Sequence, residues 1–226
     1  MINIQLLSKD KYNKEYLDLL QEKLYTAVIC DILDDLGYRN QAMNDAVKPL
    51  DDGYSLIGFA KTMLCYDVYE MPDKPYETEI NAIDTIQTGD VVVINTNNSK
   101  SNGFWGELIA TSAIARGGRG VVLDGAVRDI KQLKVMGNQF KVFTVGRNPL
   151  DSKGRCEVAK YDCPILCNGV LVNPGDIIFG DIDGVVVIPK EVAELVLDKA
   201  ITKINRENKM RKDLQNGMLL KDAFIK

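Results

Sequence analysis

The sequence predicts an α/β domain in which a layered sheet is flanked by helices. Short runs such as Val91–Ile94 and Val121–Leu123 are apolar at every position, as strands buried on both faces require. Between such runs lie segments with apolar residues three and four apart, closed by glycine. Strands and helices alternating along one chain argue for a layered arrangement. At 226 residues the chain fits one domain, residues 1–226, with a projecting C-terminal helix at about 190–215.

The elements follow in order. Residues 14–24 carry a helical stripe of Tyr16, Leu17, Leu20 and Leu24. Thr26 is expected to cap a second helix that closes at Gly37, with Val28, Ile29, Ile32, Leu33 and Leu36 inward and Asp31, Asp34 and Asp35 in water. Residues 38–57 read as a polar connector and 57–68 as a strand. The two prolines of 71–80 mark a loop entering a short helix that ends near Thr88. Gly89-Asp90 then introduces strand Val91–Ile94. Loop 95–106, rich in Asn, Ser and Gly, delivers Trp105, expected in the core with a pocket wall as the alternative.

Helix Glu107–Arg116 is stopped by Gly117–Gly118. After strand Val121–Leu123, Asp124–Gly125 is expected to turn the chain into Arg128–Asp129. A helix at 130–137, a strand at Lys141–Val145 and a polar loop at 146–158 follow, the loop being a second candidate for substrate contact. Strands are expected within 165–173 and 176–188, joined by the turn Pro174-Gly175-Asp176. From Pro189 the chain reads as helix, with Val192, Leu195, Val196 and Ile201 inward and a polar second half. A short helix near Leu219–Phe224 ends it.

Composition removes several function classes. A net charge of −4 gives no broad cationic field for nucleic acid. No apolar run reaches the ~18–20 residues a bilayer requires. The first residues, MINIQLLSKDKYNKEY, lack a signal-peptide pattern, so a cytoplasmic location is expected. The five cysteines are expected as free thiols. Cys163 and Cys167 have a spacing a metal could use, but no second pair or histidine completes it. The chain has no histidine, which excludes Ser-His-Asp and Cys-His catalysis and an imidazole base. Acid–base work falls to carboxylates, Lys, Tyr, Cys or metal-bound water.

Gly117-Gly118-Arg119-Gly120 has the composition of a phosphate loop, but it leads from helix to strand, the wrong order for helix amides to face an anion. The start of the 107–116 helix is better placed. Its unpaired amides and dipole favour an anion, and Gly106 permits close approach. The bland alternative is Glu107 satisfying that helix end itself. Arg128–Asp129 lies past the C-terminal end of a strand, where open α/β sheets hold ligands. Arg128 offers a fork for a carboxylate or enolate oxygen, and Asp129 a hard oxygen for Mg²⁺ or Mn²⁺. Its own alternative is an exposed Arg beside an Asp that caps the 130–137 helix.

The run G-E-L-I-A…G-x-x-G-V-V-L-D-G-A-V-R-D, with P-L-D-S-K-G-R at 149–155 and P-G-D…G-D-I-D-G-V-V-V-I-P at 174–189, resembles the RraA-like family. That family joins the regulator of ribonuclease activity A to the class II 4-hydroxy-4-methyl-2-oxoglutarate aldolases. The resemblance runs from the Thr26 helix to Phe224. It implies a central mixed sheet or barrel flanked by helices, of the swivelling β/β/α type, and a trimeric ring or dimer of trimers with sites between subunits. It also implies a divalent-metal lyase that releases pyruvate from a 4-hydroxy-2-oxo acid, with oxaloacetate decarboxylation as a side activity. In that reading Asp129 holds Mg²⁺ or Mn²⁺ and the backbone of Gly106, Glu107, Leu108 and Ile109 binds the substrate carboxylate. Arg128 stabilises the enolate, and Glu107 assists a metal-bound water as base.

The family's aldolases place a further acid three residues after the Asp, where this chain has Gln132. The family's regulators keep the Arg-Asp pair and inhibit an RNA-degrading endonuclease without catalysis, so a non-catalytic regulator is the alternative function. A Schiff-base aldolase would need a buried lysine, for which Lys61 is the first candidate. A sugar-acid lyase whose pocket is built from 146–155 is a third reading.

Overall fold

The computed structural model describes residues 12–225. The amino-terminal segment on which the signal-peptide expectation rested lies mostly outside them. A mixed nine-stranded sheet forms the centre, its path running β1-β6-β5-β3-β2-β10-β11 with β4 added on β5 and β7 on β2. The strands are β1 Lys48–Pro49, β2 Leu56–Asp67, β3 Asp90–Asn95, β4 Gly103–Trp105, β5 Gly120–Val127, β6 Lys141–Arg147, β7 Cys156–Tyr161, β10 Ile177–Gly180 and β11 Val185–Ile188. A separate hairpin joins β8 Ile165–Cys167 to β9 Val170–Val172.

The apolar runs form the parallel heart: β2, β3, β5 and β6 pair in parallel. β2 is the hinge of the sheet. One edge carries β3, while the other carries β10 along Leu56–Phe59 and β7 along Met63–Asp67, both antiparallel. One core fills the side of α3 (Glu77–Asp84), α4 (Glu107–Ala115) and α5 (Ile130–Val135). The other packs α1 (Lys14–Lys23), α2 (Thr26–Asp35) and the first half of α6 (Ala193–Gln215) on Ile57, Phe59, Ile177, Phe179, Val186 and Ile188. A terminal helix, α7, spans Leu220–Ile225.

Several expectations are corrected. Thr26 does not cap α2 with its own side chain. Its N–H and hydroxyl both donate to the Asp181 carboxylate, at 2.8 and 2.7 Å, so the cap arrives from the β10–β11 turn. The 38–57 connector is less polar in effect than in composition, for it buries Met43, Val47, Leu50 and Tyr54 and contributes β1. The helix of the 77–88 region stops at Asp84. Asp124–Gly125 does not turn the chain. Both lie inside β5, at a register shift between Leu123 and Ala126, and the Asp124 carboxylate accepts from the Thr96 N–H and hydroxyl at 2.5 and 2.8 Å. That bond pulls the 95–102 loop onto the strand. Trp105 is fully buried and stacks on Phe140 at 5.7 Å, a core residue. α6 buries Ala193, Val196, Leu197 and Ala200, whereas Leu195 is 46% exposed; none of residues 201–215 is buried.

The borrowed cap can be measured. Asp181→Ala should destabilise the fold by about 1 kcal/mol, the usual cost of losing an N-cap, read as a lower urea midpoint. Thr26→Ala should add little on top, because the two residues share the same bonds.

Candidate active site

β5 ends at Val127, and the next two residues are held from several sides. The Arg128 N–H donates to the Trp105 carbonyl at 2.9 Å, continuing the pairing of β4 with β5. The Asn148 N–H donates to the Val127 carbonyl at 3.0 Å and the Gly103 N–H to the Leu150 carbonyl at 2.8 Å, which seats the 148–151 loop beside the pair. Asp129 takes a left-handed backbone, φ 57°, a conformation Asp tolerates better than most residues. That backbone turn aims its carboxylate away from its own helix. Asp129 makes no side-chain cap to α5.

Instead, Asp129 Oδ2 accepts from the Glu107 N–H at 3.1 Å and so caps α4, whose N-cap residue, Gly106, has no side chain to do so. A Cβ on Gly106 would lie 2.7 Å from Asp129 Oδ2 and 3.2 Å from Arg128 Nε, so only glycine fits there without displacing the pair. Arg128 lies between two carboxylates. Its Nε is 3.8 Å from Asp129 Oδ2 and its Nη1 is 3.1 Å from Asp151 Oδ1. The Tyr76 hydroxyl donates to the other oxygen of Asp151 at 2.5 Å. Burial by itself would raise the Asp151 carboxyl, but the Tyr76 bond and the Arg128 charge outweigh it and hold the group below its ordinary value. The Tyr76 hydroxyl is pushed up in turn, first by burial and then by that bond.

These residues border a cavity of about 440 Å³ between α3 and α4. Its walls are apolar, from Ile80, Ile83, Phe104, Leu108 and Ile109, and its polar side carries Tyr76, Glu79, Arg128, Asp129 and Asp151. Glu79 is 6% exposed. Burial pushes its carboxyl from 4.5 up to about 8; the nearby Asp151 and Glu157 carboxylates add to the rise and Arg128 opposes it.

Of the residues anticipated from sequence, Gly106, Leu108, Ile109, Arg128 and Asp129 border this cavity together. Glu107 does not. Its N–H is held by Asp129, and its carboxylate accepts from the Thr111 hydroxyl at 2.9 Å along α4. Gln132 is exposed on α5 and also stands outside the lining. Lys61 is buried elsewhere, its Nζ 2.7 Å from both Asp162 and the Thr85 hydroxyl. The 146–155 loop contributes Asp151 and Ser152. Tyr76, Glu79 and Asp151 were not anticipated. The sign of Glu79 in the sequence is its place four residues before Ile83, on the apolar side of a short helix.

Among the described residues, no three His, Cys, Asp or Glu side chains converge as a metal-binding group. A hard cation held here would have one protein carboxylate, with water or substrate oxygens as its remaining ligands. Asp129 is such a carboxylate: it borders the cavity, its side chain is 40% exposed, and the amide and guanidinium contacts fall on Oδ2.

A family model described as RraA-like, Aldolase/RraA, matches residues 26–187. Protein DlpA of Legionella pneumophila is 33% identical over 234 residues, covering 98% of this chain; the chain spans only 37% of DlpA. A Halalkalibacterium halodurans protein named "Putative 4-hydroxy-4-methyl-2-oxoglutarate aldolase" is 30% identical over 200 residues, covering 88% of this chain and 89% of that one. Streptomyces coelicolor RraAS2, described as an unusual member of the RNase ES inhibitor RraA protein family, superposes with a TM-score of 0.75 at 27% identity. That match covers 88% of this chain and 96% of the other.

The raised Glu79 carboxyl makes stability depend on pH. Between about 4.5 and about 8 the folded chain keeps a proton on Glu79 that the unfolded chain has lost, so this group's contribution to stability falls as pH rises through the window and is constant outside it. The slope contributed is at most about 1.4 kcal/mol per pH unit. Glu79→Gln, which cannot ionise, should lose that slope, so its denaturation midpoint should gain on the unaltered protein from pH 5 to pH 8.

Proposed function

The chain belongs to the RraA-like, Aldolase/RraA family, and we propose that it is a divalent-metal-dependent lyase that cleaves a 4-hydroxy-2-oxo acid to pyruvate and a carbonyl product. Decarboxylation of oxaloacetate would be a second use of the same enolate chemistry. The observation that carries this reading is Arg128, held between Asp129 and Asp151 at the edge of a largely apolar cavity, beside the start of α4.

Each residue then has a defined task. Asp129 would hold Mg²⁺ or Mn²⁺, which when bound polarises the substrate's 2-oxo group as a Lewis acid. The substrate carboxylate lies at the α4 start. There the Glu107 amide is already taken by Asp129, so the amides of Leu108 and Ile109 are the ones a helix start still offers. Gly106 keeps that approach open. Arg128 faces the oxygen on which negative charge develops as the C3–C4 bond breaks, and its two carboxylate neighbours fix it there beforehand. Glu107 serves through its backbone rather than its carboxylate.

The second reading, a non-catalytic regulator, is favoured by one observation: Gln132 stands where the aldolase pattern has an acid. Pyruvate release separates the two. A coupled assay over a panel of 4-hydroxy-2-oxo acids and oxaloacetate should give turnover with Mg²⁺ that EDTA abolishes. Arg128→Ala should lower kcat/KM by roughly 10²–10³-fold, the usual loss for a group that stabilises an oxyanion, with its melting temperature kept. Turnover that survives exhaustive chelation sinks the metal model, and no turnover on any substrate leaves the regulator. The assembly is proposed as a homotrimer or dimer of trimers; light scattering at the 25.1 kDa mass of one chain would refute it.

A further inference from the structure

We propose that Glu79 carries the proton in this reaction: its carboxylate takes the proton of the substrate's 4-hydroxyl as the C3–C4 bond breaks, then delivers it to C3 of the enolate. The proposal rests on the aldol-cleavage reading above.

The geometry points to Glu79 because it is the one acid bordering the cavity whose carboxyl no hydrogen bond or ion pair holds among the described residues. Asp151 is occupied by Arg128 and Tyr76, and Asp129 by the Glu107 amide. Buried acids with a structural role in this chain look different. Asp124 is held by the Thr96 amide and hydroxyl, and Asp176 by the amides of Asn173 and Lys190. Burying a carboxyl without a partner is costly. One that is 94% shielded yet borders a cavity is therefore placed for a ligand. Glu107, the acid the family pattern puts forward, bonds to Thr111 outside the cavity.

The groups facing Glu79 are Tyr76 before α3, Cys65 from β2, Asp151 from the 148–155 loop, Glu157 from β7 and Arg128 from the end of β5. Their balance with burial leaves the carboxyl titrating near 8, where one group can both accept and return a proton. The step balances. The 4-hydroxyl proton passes to Glu79, and the O–H electron pair becomes the new C4 carbonyl bond. The C3–C4 pair enters the enolate, whose oxygen faces Arg128. The proton then moves from Glu79 to C3, forming the methyl group of pyruvate. No co-reactant is consumed.

The test compares Glu79→Gln and Glu79→Asp with the unaltered protein, with Mg²⁺, on whichever panel substrate is cleaved fastest. Glu79→Gln should lower kcat by roughly 10²–10⁴-fold, the usual worth of a positioned acid–base group, and leave KM within about threefold. Glu79→Asp should recover part of kcat. Oxaloacetate has no 4-hydroxyl proton to remove, but its enolate still takes a proton at C3, so its decarboxylation loses only the second of the two transfers and should fall by a smaller factor than aldol cleavage in Glu79→Gln. Should Glu79→Gln fail to fold, the unaltered protein's kcat/KM should still rise with pH with a midpoint near 8, and a flat profile overturns the assignment. A folded Glu79→Gln that cleaves within about tenfold of normal overturns the role of Glu79 while leaving the lyase reading intact. Absence of pyruvate release by the unaltered protein overturns both.

Discussion

One hydrogen bond organises this site: the Glu107 N–H donating to Asp129 Oδ2 across 22 residues of chain. It joins the end of the buried strand β5 to the start of α4. The capping function that α4 cannot obtain from Gly106 is supplied by a carboxylate that must also stand in the cavity. The left-handed backbone at Asp129 makes this possible, since a helical or extended residue there would point its side chain elsewhere. Arg128 depends on the same arrangement, because Asp129 is one of its two anchors.

Charge in the cavity is distributed unevenly for a physical reason. Arg128 can satisfy two carboxylates, and it takes Asp129 and Asp151. Glu79, on the helix opposite, gains only a distant share of that cation and bears the full effect of burial. Asp151 stays below its ordinary range while Glu79 rises far above its own. Separation of this kind lets a histidine-free protein hold both an anchored anion and a proton carrier in one place.

Much of the fold was legible because it rests on periodicity. The uniformly apolar runs at 91–94 and 121–123 are central parallel strands, and the stripes of α1 and α2 face the core. Errors fell where a partner distant in sequence decides the outcome. Asp124–Gly125 has the composition of a turn, yet β5 is paired up to Leu123 and again from Ala126, which continues the strand past a register shift, and Asp124 anchors Thr96 instead. Thr26 has the composition of a cap, yet it is itself held by Asp181.

The sequence by itself determined that no imidazole chemistry is available, that Arg128 and Asp129 follow a buried strand, and that Gly106 precedes a helix start. Only the tertiary structure decided that these meet, with Asp129 capping α4, and that Glu107 turns out of the cavity while Tyr76, Glu79 and Asp151 enter it. The reason is the range of the forces involved. Hydrophobic period and backbone preference act within a few residues and leave a pattern in the chain. A carboxylate's partner, and the burial that moves its titration, are set by groups brought together only when α3, β5 and the 148–155 loop pack around one cavity.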